Sequence, residues 1–165
     1  MAVNQKFQTI EAIVYDCDGV LTDNKVIVDE DGKEYAVFNR GDGYAISKVF
    51  GLGIKQVVIS TEVNPIVLKR CNKLQLEVYN GLSDKLSALK KYCDDNKIDL
   101  DNVLYVGNDL NDIDCMKSVG MRGCPFDAEK EIKDLSDWVS IKKGGDGVVR
   151  DLYRDICESR GIKCQ

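Results

Sequence analysis

The chain contains no histidine. That absence excludes Ser-His and Cys-His catalytic pairs, histidine-ligated zinc and imidazole acid–base chemistry. Catalysis must then rest on carboxylates, lysine, hydroxyls, backbone amides and a metal. Seven cysteines are present, but none forms a CxxC pair, and their odd number and irregular spacing suggest neither a disulfide framework nor a zinc site. They read as small buried apolar residues in a reducing cytosol. No apolar run approaches the roughly 18 residues of a membrane span. The N-terminal MAVNQKFQTIEA lacks the apolar region of a signal peptide. The net charge is −5 with no long basic run, which argues against nucleic acid or an anionic membrane as the main partner. The expected compartment is the cytoplasm.

What is present is ordinary for a soluble globular chain: 165 residues, 44% hydrophobic and 31% charged. One domain over residues 1–165 is expected, long enough for a sizeable core. The organising stretch is IEAIVYDCDGVLTD, Ile10 to Asp23. Its apolar run reads as a buried strand that ends in Asp16, Cys17, Asp18 and Gly19. Ligands of open α/β sheets bind beyond the carboxyl ends of strands. Two carboxylates one residue apart raise each other's pKa unless a cation offsets them, and Mg²⁺ is the natural offset. A solvated turn explains DxDG alone equally well. A calcium loop does not, because Gly19 falls at its position 4 and Ile27 at its position 12. Cys17 would be a nucleophile only with a base or cation beside it, and it has two acids instead.

Val26-Val28 and Tyr35-Phe38 flank Asp31-Gly32, which predicts a β-hairpin over about residues 24–38. A helix follows around Tyr44–Phe50, then a buried strand over 54–59 that ends in Ser60, Thr61 and Glu62. Asn64 and Pro65 open the next helix. A short strand near Leu76–Tyr79 precedes a helix for which Ser83 is the expected cap. A third buried strand, 102–106, ends in GNDLND. Shorter units lead to a last strand at 138–141, a Gly-rich loop, a final helix and a loose tail over about 159–165. Strands alternating with helices predict a doubly wound, mainly parallel α/β sheet. All three polar strand ends then share one edge, with Lys85 between the second and third, an arrangement suited to phosphoryl transfer. Taken singly, Ser60 is equally a helix cap, Lys85 a solvated residue and GNDLND a capped helix start.

In order and spacing, these segments resemble the four motifs of the haloacid dehalogenase-like superfamily. The resemblance implies an aspartyl-phosphate on Asp16, acid–base work by Asp18, and Asp18's carbonyl on the metal. It implies phosphate contacts from Ser60 and Thr61, charge neutralisation by Lys85, and Mg²⁺ held by Asp16, Asp18, Asn108, Asp109 and Asp112. Asn108 departs from the family's usual Asp and removes a charge, which leaves open which of Asn108, Asp109 and Asp112 ligates the metal. The spacings of 42 residues from Asp18 to Ser60 and 25 from Ser60 to Lys85 leave no room for a cap domain. The whole chain resembles the capless phosphatases of 3-deoxy-D-manno-octulosonate 8-phosphate and of sialic-acid-type 9-phosphates, and the related domain of acylneuraminate cytidylyltransferases.

That branch is carried by the hairpin, FNRGDG, SDKL and GGDGVVRD. It implies substrate contacts at Asp42, Gly43, Glu62 and Lys73, a homotetramer whose hairpins join centrally, and a possible cytidylyltransferase partner. Glu62 with Lys73, where the octulosonate branch has Gly-Arg after the second motif, favours the nine-carbon substrate. The alternative is a weak or inactive domain serving tetramerisation or partner binding. A two-component receiver domain is excluded because its phosphoacceptor follows the third strand and its lysine the fifth.

Overall fold

A computed structural model describes residues 5–164. Six strands form one parallel sheet in the order β5-β4-β1-β6-β7-β8: β1 Ala12–Tyr15, β4 Lys55–Ile59, β5 Glu77–Tyr79, β6 Val103–Val106, β7 Met121–Cys124 and β8 Trp138–Val139. Central β1 pairs with β4 at Ala12↔Lys55 and with β6 at Ala12↔Val103. All four β1 residues are buried. Alternate side chains enter opposite layers, so a strand covered on both faces reads as a continuous apolar run. Ile13 and Tyr15 join one core with Val58, Leu104 and helices α1 (Arg40–Gly51), α2 (Pro65–Leu74) and α6 (Val148–Ser159). Ala12 and Val14 join the other with Val57, Tyr105 and helices α3 (Lys85–Asn96), α4 (Ile113–Lys117) and α5 (Lys130–Leu135). The chain reverses direction between β1 and β6, and that switch point is where such sheets open a crevice.

The hairpin strands are shorter than the sequence predicts: β2 is Ile27–Val28 and β3 is Glu34–Tyr35, paired Ile27↔Tyr35. Asp29 shapes the turn by accepting from the amides of Asp31 (3.1 Å) and Lys33 (2.9 Å), with Gly32 at φ +77°. Two lone strands gain little from water, and Val26, Ile27, Val28 and Val37 are all more than half exposed.

Helix starts follow local chemistry. Asn64 caps α2 by accepting from Ile66 N at 3.0 Å, with Pro65 in the first turn. For α3 the expected cap, Ser83, is displaced by one residue. Asp84 accepts from Ser87 N at 3.0 Å, because its carboxylate reaches a further orphan amide and favours the positive end of the helix. At the C-terminus, Arg160 donates to the carbonyls of Phe7 (3.1 Å) and Ile10 (2.7 Å), and residues 161–164 are exposed. Gln165, part of the tail predicted to be loose, lies outside the described residues.

Candidate active site

Asp16 leaves the end of β1, 5% exposed. Its Oδ1 accepts from Cys17 N at 2.8 Å and pairs with Lys85 Nζ at 2.9 Å. Lys85 is the first residue of α3 and is 5% exposed. Its second contact is Asp112 Oδ1 at 2.8 Å. A buried ammonium between two buried carboxylates is the arrangement that makes burial of all three tolerable. Burial raises the Asp16 pKa and Asp112 raises it further, while Lys85 opposes both. Burial works against the Lys85 charge, but Asp16 and Asp112 outweigh it and raise its pKa. Lys85 therefore stays cationic and offsets part of the rise, which leaves the Asp16 carboxyl at about 7 without a further cation.

Asp18 is half-buried, and burial raises its pKa. Thr22 opposes that shift by donating to Asp18 Oδ1 at 3.2 Å, and its own oxygen accepts from Gly19 N and Asn24 N at 3.3 Å each. A half-buried carboxyl that still opens to solvent can pass a proton to or from a bound group. The thiol of Cys17 is pushed far above its ordinary value by burial and then by Asp18, so it is no nucleophile.

Asn108 follows β6. The end of its side-chain amide stands 3.2 Å from Asp16 Oδ2 and 2.8 Å from the Asp18 carbonyl oxygen. Both neighbours are acceptors, so the amide meets them through its NH₂ group or, with its oxygen there, needs a cation between the three oxygens. Ligands about 2.1 Å from an octahedral Mg²⁺ lie about 3.0 Å apart, which these separations match. Asp16, the Asp18 carbonyl and Asn108 thus fit a divalent cation.

The other two acids of the motif do not converge there. Asp112 is fully buried; its Oδ1 accepts from Lys85 and from Tyr105 OH at 2.8 Å, and its Oδ2 from Asn108 N at 2.9 Å and Asp109 N at 3.4 Å. Asp112 is held by these donors rather than at the point where Asn108 meets Asp16 Oδ2 and the Asp18 carbonyl. Asp109 is exposed and caps the following turn by accepting from Leu110 N at 2.6 Å. It borders the acidic mouth of the site with Asp23, Asp127 and Glu129, a charge pattern that draws cations.

Ser60 ends β4 beside β1, so it leaves the sheet at the same edge as Asp16. It is buried, and its Oγ accepts from Glu62 N at 3.1 Å. Thr61 is exposed. Glu62 lines a cleft with Asp18, Asn24, Glu34, Phe38 and Asn64, and its carboxylate accepts from Asn64 N at 2.7 Å.

The other three residues expected at the substrate lie away from this cleft. Asp42 is 3% exposed and turned inward: its Oδ1 accepts from Arg150 N at 2.9 Å at the start of α6. Gly43 faces α2, where an added Cβ would lie 2.9 Å from Leu74 Cδ2. Lys73 lies in the last turn of α2, whereas Glu62 precedes its first. A ten-residue helix is about 15 Å long, so the chain does not bring Glu62 and Lys73 together.

One part of the site was not singled out from the sequence, and another was read there only as a segment shared with the family branch. Tyr105 sits in an apolar strand, and only its polar tip, which needs a partner when buried, signals more than packing. Gly144 and Gly145 press on the first motif: an added Cβ at Gly144 would lie 2.1 Å from Gly19 O, and Gly145 N donates to Val20 O at 3.0 Å.

Residues 53–152 match the model of the haloacid dehalogenase-like hydrolases, a span that includes Ser60, Lys85 and Asn108. A 3-deoxy-D-manno-octulosonate 8-phosphate phosphatase of Salmonella typhi is 33% identical over 151 residues, 91% of this chain and 80% of that protein. A HAD family hydrolase of Streptomyces avermitilis superposes with TM-score 0.89 at 37% identity, covering 91% of this chain and 86% of its own. The Moraxella catarrhalis 3-deoxy-D-manno-octulosonate 8-phosphate phosphatase, in complex with magnesium, phosphate and KDO, superposes with TM-score 0.89 at 28% identity, covering 94% and 90%.

Proposed function

The chain belongs to the haloacid dehalogenase-like hydrolase family, and from that premise we propose that it is a Mg²⁺-dependent phosphatase of phosphorylated 3-deoxy-2-ulosonic sugar acids. The observation that carries this reading is the buried Lys85 paired with Asp16, beside the point where the Asn108 amide meets Asp16 Oδ2 and the Asp18 carbonyl oxygen. Asp16 attacks phosphorus, and the bond to the sugar oxygen breaks while Asp18 gives that oxygen a proton. Asp18 then takes a proton from the water that attacks the aspartyl-phosphate, releasing inorganic phosphate and restoring Asp16. Lys85 holds negative charge at the nucleophile, and the Ser60 hydroxyl donates to a phosphate oxygen. Asp16, the Asp18 carbonyl and Asn108 would hold Mg²⁺, which would supply charge neutralisation on the transferring group. Asp109, at the mouth of the site, would attract the cation by its charge.

Within that class, the nine-carbon 9-phosphate is assigned ahead of the eight-carbon 8-phosphate. Glu62 supports this, since it lines the cleft beside Asp18; the names of the relatives favour eight carbons. Lys73 can contribute only from a neighbouring subunit. A homotetramer joined through the exposed hairpin would supply such a neighbour and close an otherwise open site. Asn108, lacking the usual charge, favours the second reading: a catalytically weak domain that assembles, or binds a cytidylyltransferase.

Phosphate release with Mg²⁺ from both ulosonate phosphates, with Asp16→Asn as control, tests these readings. Release from the nine-carbon ester, lost by at least a thousandfold in the variant, is the expected result. Preference for the eight-carbon ester overturns the nine-carbon assignment alone. No Asp16-dependent release from either ester overturns the phosphatase and leaves the assembly role.

A further inference from the structure

We propose that Asn108 is an internal stand-in for the cation. Without metal, its NH₂ group bridges Asp16 Oδ2 and the Asp18 carbonyl, and with metal the amide turns over and presents its oxygen. This rests on the Mg²⁺ site described above. The separations of 3.2 and 2.8 Å are donor–acceptor distances for an NH₂ group and ligand–ligand distances for an oxygen. One side chain therefore satisfies both states without moving its backbone. That backbone is pinned: Asn108 N donates to Asp112 Oδ2 at 2.9 Å, and its carbonyl accepts from Glu129 N at 2.9 Å. The terminal amide torsion is broad and roughly two-fold, so a half-turn is the movement left to it. Gly19, at φ +87°, makes the room: a Cβ there would lie 2.0 Å from Asn108 Nδ2 and 3.0 Å from its Oδ1.

An aspartate at this position has no donor. It would leave three oxygens facing one another in the metal-free protein and attract the cation more strongly. Asn108 thus trades metal affinity for a catalytic loop that keeps its shape when the metal leaves.

Thermal unfolding and Mg²⁺ titration calorimetry of wild type and Asn108→Asp, at pH 8 and without substrate, test this. In EDTA the variant melts below wild type; in Mg²⁺ its melting temperature rises further than that of wild type, and its Kd for Mg²⁺ is at least tenfold lower. A variant that melts as high as wild type in EDTA, or binds Mg²⁺ no more tightly, overturns the proposal while leaving the metal site intact. Mg²⁺ binding to neither protein overturns both. Should the variant not fold, NMR of ¹⁵N-labelled wild type decides. The Asn108 side-chain NH₂ protons are slow to exchange in EDTA and fast in Mg²⁺, and equal exchange in both states overturns the stand-in. None of these readouts depends on phosphatase turnover.

Discussion

Asp112 receives four donors at once, two on each oxygen. A buried carboxylate so satisfied has one position, and it fixes Lys85 against Asp16. The sequence places Asp112 in the polar segment that follows a strand, but such a segment offers two directions. Only the neighbours, Tyr105 and Lys85, decide that it faces the lysine rather than the cation. Tyr105→Phe removes one donor from this carboxylate, together with the hydroxyl's contact to the Cys115 thiol. It should lower stability by about 1.5–3 kcal/mol, the range for a hydrogen bond to a charged group, and reduce kcat severalfold with little change in KM. Denaturant unfolding and steady-state kinetics check both. An unchanged kcat would show that Lys85 holds its place without Asp112 being fixed.

The elements around the site are tied by contacts distant in sequence. The loop carrying Gly144 and Gly145 lies against the Gly19–Asp23 loop with no space for side chains, which explains why GGDG accompanies DGVLTD. Helix α6 has no side-chain cap of its own; Asp42 in α1 caps it, receiving the amide of Arg150 and bonds from Val149 and Gly147. Burial nevertheless raises the Asp42 pKa to about 6, and its Oδ2 has no partner. The folded state therefore binds this proton more tightly than the unfolded chain does. Stability from this group is present below pH ~4, the unfolded pKa, and lost as pH rises through about 6. Compared with Asp42→Asn, wild type should lose on the order of 2 kcal/mol between those limits. A stability difference between the two proteins that does not vary over this range would show that Asp42 is not titrating there.

At the scale of the molecule, the hairpin stands out. Ile27 and Val37 are 64% and 66% exposed, with Val26, Val28 and Tyr35 beside them. Contiguous exposed apolar surface of this kind marks an interaction site. Light scattering on wild type should give a tetramer, and Ile27→Lys with Val37→Lys a smaller species with the same secondary structure. A monomeric wild type would overturn the assembly and remove the route by which Lys73 reaches a site. The double variant also tests closure: an open site should lose affinity for the sugar more than turnover.

The sequence by itself determined the order of elements, the parallel α/β class and the shared edge for Asp16, Ser60 and Asn108. The physical reason is local: four or five apolar residues followed at once by charge can only be a buried strand and its end. Its limits are local too. Hairpin strands were overextended because alternation shows pairing competence, not the presence of a partner sheet. Ser83 and Asp84 both cap well, and one turn of geometry chose between them. Asp42, Gly43 and Lys73 carry the chemistry of substrate contacts, but packing turned the first two inward and the length of α2 carried the third away. Whether Asn108, Asp109 or Asp112 faces the Asp18 carbonyl was decided by tertiary structure alone: the sequence sets Asn108 apart by its missing charge but does not say which way any of the three side chains points. The difference lies in which donors the neighbouring strands and helices bring within 3 Å of each.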